Sequence, residues 1–330
     1  MRIQTNTQKP TIAIAGTSGR FGSRLNYYLS PHYNIVSLER AVPSRPNNLT
    51  TTIVRLDITD KNSVHHAIKE LKRIQVRTLI NCIGDLNVDA EEHTRGNIES
   101  NMYRVNTEGP DSLARACHNE NIKLIHLSTE YVFDGRKQVG LAYAETDEPN
   151  TSLKSAPTWY GITKALGEKK VLAAHLRGAV IVRFSQIQSP VAGLFASTIT
   201  KLRLKQKFTR AHNQMMSPLC DTTAAAAILS IEKAMHEKNF HGIIHVGARD
   251  THSCYEVSLM LARVYGLQKL AEKLITPVSL EELVASGEQK VLRPYNPVLN
   301  SEKFNTLFSP KIPTVKAEID TFHSLYAKDY

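Results

Sequence analysis

Thr11-Ile-Ala-Ile-Ala15-Gly16-Thr-Ser-Gly19-Arg-Phe-Gly22 is the stretch that decides the fold. Its first five residues carry no charge and read as a short buried parallel strand. Gly16-x-x-Gly19-x-x-Gly22 then leads into a run with helical spacing, Arg20 to Leu29, which Ser30-Pro31 stops. A Gly-rich turn between a strand and a helix lets backbone approach a pyrophosphate, with the positive end of the helix dipole facing it. Gly16, Thr17, Ser18, Gly19, Arg20, Phe21 and Gly22 are therefore candidate dinucleotide contacts. The competing reading is a Gly-rich turn with no ligand. The strand before it and the helix after it favour the dinucleotide.

Outward from that turn, apolar runs at 34–38, 52–56, 78–83, 123–127 and 179–183 read as further strands. Helical spacing fills 62–74, 97–120 and 161–176 between them. Strands alternating with helices predict an α/β fold: a doubly wound parallel Rossmann sheet covered on both faces. Beyond about residue 185 the rhythm loosens into helical segments, one short strand at 242–246 and Pro-rich connections. This predicts a dinucleotide-binding domain over 1–185 and a smaller C-terminal substrate-binding lobe over 186–330, with the segment near 240–250 returning to the sheet. In such folds ligands bind at the carboxyl ends of the strands, where strand order reverses.

A chain of 330 residues holds one large core or two modest ones. With 42% hydrophobic and 22% charged residues, the composition is that of an ordinary globular protein. No apolar run reaches the length of a membrane span. Residues 1–10 are polar, lack an apolar signal region and read as a short flexible lead-in. Cys82, Cys117, Cys220 and Cys254 are scattered, which argues against a disulfide framework or a zinc site and fits a cytoplasmic location. No metal ligand cluster stands out.

The formal net charge of +10 asks for anionic partners such as cofactor phosphates, a nucleotide-linked substrate or nucleic acid. The densest basic run, Lys201-Leu-Arg-Leu-Lys-Gln-Lys-Phe-Thr-Arg210, has neither an aromatic stacking pattern nor a nucleic-acid module. It reads as the solvated face of a surface helix, and a nucleic-acid partner is not expected.

Glu39 ends the second strand, where an acid binds the adenosine ribose hydroxyls and favours NAD. Arg40 follows, and an Arg there meets the 2′-phosphate of NADP. Use of both cofactors is the expectation, with a lean to NADP. Asp57, at the end of the third strand beside Ile58, either accepts from the adenine amine or caps the next helix, as Thr59 would equally.

The chemistry centres on Tyr160-Gly-Ile-Thr-Lys164. A Tyr one helical turn before a Lys puts phenol and ammonium on one face. The ammonium is expected to lower the phenol pKa and make it a tuned acid for carbonyl reduction. Spacing alone does not identify the pair, because Tyr265-Gly-Leu-Gln-Lys269 repeats it. No hydroxyl-bearing strand end precedes that second copy, which reads as a helix end with Gly266 near the C-cap. Ser128-Thr129 precedes the first copy, at the end of the fifth strand. One of these hydroxyls would hold a substrate carbonyl while Tyr160 gives its proton. The alternative is that both satisfy backbone groups in a turn.

These residues lie in longer motifs. Ser128-Thr-Glu-Tyr-Val-Phe-Asp-Gly135 resembles a Ser-Thr-Asp-Tyr-Val-Phe-x-Gly segment, and Tyr160-Gly-Ile-Thr-Lys-Ala-Leu-Gly-Glu168 a Tyr-Gly-x-Thr-Lys-x-x-Gly-Glu helix. Both belong to the dTDP-4-dehydrorhamnose reductase family of extended short-chain dehydrogenase/reductases, which the chain resembles from about residue 11 to 310. Asn81-Cys-Ile-Gly-Asp-Leu-Asn-Val-Asp89 is similar to the family's fourth-strand motif, where the backbone passes the cofactor. Val105-Asn106 is similar to its helix motif behind the nicotinamide, and Arg293-Pro-Tyr-Asn296 to its Arg-Pro-x-Asn segment.

The resemblance implies that Thr129 is the catalytic hydroxyl, Tyr160 the acid, and Lys164 its partner and a ligand of the nicotinamide ribose. It also implies cofactor contacts at Cys82, Ile83, Gly84 and Asn106. The implied substrate is a nucleotide-linked 4-keto-6-deoxy sugar, met by Ser128, Glu130, Gln186 and, at its diphosphate, Arg293. Some members of the family use magnesium at a dimer interface, so a homodimer is compatible with the resemblance.

The chain departs from the pattern on the substrate side. Glu130 replaces Asp, Gln186 stands near the place of a Trp, and Met216 replaces Gly. Trp159 either stands in for the lost aromatic contact or packs in the core. The beta regulatory subunit of methionine adenosyltransferase shares the fold and a similar Tyr–Lys pair. A catalytically silent NADP-binding regulatory subunit is thus the alternative, beside a reductase or epimerase of another nucleotide sugar.

Overall fold

The computed structural model of the chain describes residues 9–41 and 52–330. The lead-in expected over 1–10 therefore lies, but for its last two residues, outside the described residues.

Seven strands form one parallel sheet: β1 (Thr11–Ala15), β2 (Asn34–Glu39), β3 (Thr52–Arg55), β4 (Thr78–Asn81), β5 (Lys123–Thr129), β6 (Ala179–Phe184) and β7 (Gly242–Val246). Their order is β7-β6-β5-β4-β1-β2-β3. The alternation inside β1 shows why both faces are covered. Ile12 and Ile14 pack with Leu25 and Leu29 of α1 (Arg20–Leu29) on one side. Ala13 and Ala15 pack on the other, with Leu71 of α2 (Lys61–Arg73) and Leu113 of α3 (Gly109–Asn119). Each fully buried Ile or Leu here contributes about 1.5–3 kcal/mol over its exposed state. Strand order reverses between β1 and β4, so Gly16 and Cys82 flank the switch point.

The strand at 242–246 joins the edge of this sheet, with His245 opposite Arg183. The rest of the C-terminal part pairs in short pieces: Ile187–Gln188 with Leu219–Cys220, Met215–Met216 with His252–Ser253, and Phe208–Ala211 with Ile275–Val278.

Several boundaries follow side-chain caps that hydrophobic periodicity does not show. The Tyr160 helix, α4 (Trp159–His175), starts two residues earlier than read, because Thr158 Oγ1 accepts from Gly161 N at 3.0 Å. Helix α2 is capped by Asp60, which accepts from Asn62 N at 2.9 Å, and not by Asp57 or Thr59. The helix expected over 97–120 begins at Asn101 and passes through a π turn at Arg104–Glu108 before α3.

The basic run 201–210 is not one helix. The helix Leu194–Arg203 ends within it, Lys205 takes a left-handed conformation, and the strand Phe208–Ala211 begins. Arg210 turns inward to Ser197 and Thr198. Tyr265 does cap the helix Cys254–Val264, and Gly266 follows with a positive φ that a residue with a Cβ seldom adopts. Lys269 sits on a separate helix, Gln268–Leu274, which disposes of the second Tyr–Lys spacing. Among the described residues no helix is long and apolar enough to cross a membrane.

Candidate functional site

Two cavities meet at the switch point and share Ser18, Gly19, Cys82, Ile83, Gly84 and Leu86. One, of about 500 Å³, runs toward Glu39, Arg40, Asp57 and Ile58 at the ends of β2 and β3. The other, of about 650 Å³, runs over Arg20 to Gly22 toward Ser128, Thr129, Tyr160, Lys164 and Gln186. Most of the sequence-derived candidates are thus brought to one continuous cleft.

The Gly loop fits a pyrophosphate on structural grounds. A Cβ on Gly22 would sit 2.0 Å from the Gly16 carbonyl oxygen, so only glycine lets α1 begin this close beneath the loop. Gly19 is the N-cap and provides no side-chain acceptor for the first-turn N–H groups. Those donors and the helix dipole face the cleft as an anion site.

At the other end Glu39 is tied to the loop itself. Its carboxylate accepts from Ser18 N at 2.8 Å, from Ser18 Oγ at 2.7 Å and from Thr17 Oγ1. Asp57 accepts from Thr59 N and Oγ1 at 2.9 and 2.7 Å. These bonds, with Arg40 and Arg104 nearby, hold its carboxyl below the usual range.

Tyr160 is 8% exposed, and burial raises its phenol pKa, with Thr129 offsetting part of the effect. This reverses the expectation that Lys164 lowers it. Lys164 Nζ instead donates to the Leu127 carbonyl at 2.7 Å, and burial pulls its pKa down to about 8. Thr129 Oγ1 accepts from Tyr131 N at 3.2 Å, so its own proton is left for a further partner. The arrangement is a protonated phenol beside a hydroxyl, with an ammonium that titrates near neutrality.

A pH dependence follows. If turnover uses the Lys164 ammonium, reduction is highest below about pH 7 and falls through about pH 8 as that group loses its proton. Stability moves the other way. Between about 8 and the ordinary lysine value of 10.5 the folded state binds fewer protons than the unfolded, so this group's contribution rises with pH there. A kcat/KM profile flat from pH 6 to 10 would contradict the first statement.

Glu130 is 1% exposed, its Oε2 has no hydrogen-bond partner among the described residues, and burial pushes its carboxyl up to about 8. The folded state thus keeps a proton that the unfolded chain releases near 4.5, and stability falls as pH rises from about 4.5 to 8. Glu130→Gln is expected to raise stability at pH 8.5 by up to about 5 kcal/mol and to change little at pH 4. Urea unfolding at the two pH values checks this.

Three candidates sit differently from what the sequence implied. Asn106 is fully buried, so it stands behind the cleft and not in it. Its Oδ1 accepts from Asp85 N at 2.8 Å, and its Nδ2 donates to the Asp85 carbonyl at 3.0 Å. Arg293 is paired with Asp89 at 2.7 Å, which ties the C-terminal segment to the short helix Val88–Glu91 after β4. Ser128 gives its proton to Glu168, which Arg183 grips through Nε at 3.1 Å and Nη2 at 2.7 Å. Arg183 also reaches His245 Nε2 at 3.2 Å.

Glu168 and Arg183 are thus positioning residues that residue-by-residue reading missed. The signal was the Glu closing the Tyr160 motif. Trp159 packs in the core, stacked on Tyr103 with ring centroids 6.1 Å apart. Met216 is buried, and Gln186 lines the cleft.

A doubly wound parallel sheet with a Gly loop at its switch point and a Tyr–Lys helix beside it defines a protein of Rossmann type. The chain belongs to the family described as RmlD substrate binding domain, which it matches over residues 10–327. Among curated proteins it is 33% identical over 171 residues to a dTDP-4-dehydrorhamnose reductase of Mycobacterium tuberculosis, covering 52% of this chain and 48% of that one. The chain thus spans about half the length of that relative.

It is 24% identical over 312 residues to a dTDP-4-dehydrorhamnose reductase of Escherichia coli, covering 92% and 93% of the two chains. With the methionine adenosyltransferase 2 subunit beta of Bos taurus the identity is 27% over 259 residues, covering 77% and 70%. In fold it is similar to the dTDP-4-dehydrorhamnose reductase of Bacillus anthracis str. Ames solved in complex with NADP. The TM-score is 0.78 at 22% identity, over 96% of this chain and all of that one. It is also similar to the Bordetella bronchiseptica enzyme WbmG in complex with NAD and UDP, with a TM-score of 0.76 at 17% identity over 99% and 96% of the two chains.

Proposed function

We propose that this chain is an oxidoreductase of the short-chain dehydrogenase/reductase type that reduces the keto group of a nucleotide-linked deoxy sugar with NADPH or NADH. The observation that carries this reading is the meeting of Thr129, Tyr160 and Lys164 with the Gly loop in one cleft at the strand ends. The bound nicotinamide would supply the hydride for the carbonyl carbon. The residues from Gly16 to Gly22 would hold the pyrophosphate, and the wall at Cys82 to Gly84, which Asn106 braces from behind, would confine the nicotinamide side. Thr129 and Tyr160 hold the carbonyl oxygen, and Tyr160 gives it the proton. Lys164, its ammonium held by the Leu127 carbonyl, would bind the nicotinamide ribose. Residues 1–185 serve the dinucleotide, and 186–330 complete the sugar site. Arg293 meets the diphosphate by exchanging Asp89 for it.

The test is NADPH and NADH oxidation against a panel of 4-keto nucleotide sugars. Turnover of at least one of them is the expected result. A chain that binds dinucleotide, reduces none of the panel and is recovered with a stoichiometric enzyme partner is instead a regulatory subunit. The buried Trp159 favours that second reading, since it does not replace the aromatic contact missing at Gln186.

A further inference from the structure

An acid at the end of the second strand reads the ribose diol by accepting its hydroxyls, and so selects NAD. Glu39 stands at that position, but its carboxylate is already engaged. Oε1 accepts from Ser18 N and Thr17 Oγ1, and Oε2 accepts from Ser18 Oγ. A carboxylate has about four lone-pair sites. Three are filled by the Gly loop, and the remaining one on Oε2 cannot take both hydroxyls of a diol. Thr17 Oγ1 also lies 2.9 Å from Ser37 Oγ, so the loop is tied to β2 at a second point. Arg40, next in the chain, is exposed and lines the same cavity.

We propose that Thr17 and Ser18 turn Glu39 from a ribose reader into a strut of the Gly loop, and that Ser18 is thereby the residue that opens the cleft to a dinucleotide carrying a 2′-phosphate. Glu39 holds the loop in shape for either cofactor. Discrimination passes to Arg40, whose guanidinium meets the 2′-phosphate and has no equivalent partner on NAD. The proposal rests on the dinucleotide reading of the cleft and goes beyond it in assigning cofactor choice to Thr17 and Ser18.

The test needs no sugar and no turnover. NADPH and NADH are titrated by their fluorescence against the wild-type chain, Ser18→Ala and Glu39→Gln, and the ratio of the two dissociation constants is compared. Ser18→Ala frees Oε2 for the diol and is expected to shift the ratio about tenfold toward NADH, the effect of one hydrogen bond to a charged group. Glu39→Gln is expected to weaken both dinucleotides together and leave the ratio within about twofold.

An unmoved ratio in Ser18→Ala overturns the proposal. So does equal loss of both cofactors, which would assign Ser18 to the pyrophosphate alone. A shift of about tenfold toward NADPH in Glu39→Gln also overturns it, by making Glu39 an ordinary ribose reader. A wild-type chain that binds neither dinucleotide removes the reading of the cleft itself, a result distinct from an unmoved ratio.

Discussion

Tyr160→Phe is expected to lower turnover by about 10³-fold while leaving NADPH affinity within about twofold of wild type. The substitution removes one oxygen and keeps the ring. That ring packs with Trp159, Ile162 and Met102 and meets Tyr131 edge-on at 6.1 Å, and Phe preserves these contacts. Burial keeps the phenol protonated across the working pH range, so its proton is held until a carbonyl oxygen takes it. Thr129 remains in the variant and would still orient a bound carbonyl, but its hydroxyl is a far weaker acid. The measurement is kcat on a 4-keto nucleotide sugar from the panel that supports turnover, paired with a dinucleotide titration. Turnover above a tenth of wild type would remove Tyr160 from the role of donor.

Arg183→Leu is expected to destabilise the fold by about 3–5 kcal/mol. Arg183 and Glu168 are 1% and 3% exposed, and the guanidinium is the main partner of that carboxylate. Without it Glu168 is a buried charge whose remaining hydrogen-bond partner among the described residues is the Ser128 hydroxyl, at the strand end that carries Thr129. The double variant Arg183→Leu, Glu168→Leu should recover much of the loss, since no charge is then left buried. Urea unfolding of the single and double variants decides the matter. A single-variant loss below about 1 kcal/mol would place the pair among ion pairs of little consequence.

These two predictions differ in how legible they were in the sequence. Tyr160 stood out because its motif follows a strand end bearing hydroxyls, and helical periodicity fixes Lys164 one turn further on. Arg183 did not, because an Arg in an apolar strand has no meaning until its partner is known. Glu168 lies 15 residues away on another element. The same holds for Arg293, whose partner Asp89 is 204 residues distant. Asn106 could be named from its motif, but only packing shows that its amide braces the Asp85 peptide from behind. By charge the basic run reads as a solvated helix, whereas burial of Phe208 and Ala211 anchors its end as a half-buried strand.

By itself the sequence determined the Rossmann order. Strand and helix periods of two and 3.6 are local properties, and a glycine at a close approach is demanded by sterics between near neighbours such as Gly16 and Gly22. It also placed a phenol and an ammonium on one helix face. Only the tertiary structure decided what those groups are: burial keeps the Tyr160 phenol protonated and brings Lys164 down to about 8. It decided too that Glu39 faces its own loop. The reason is common to all three cases. Ionisation and hydrogen-bond allegiance depend on the dielectric and the donors around a group, and those come from segments far apart in the chain.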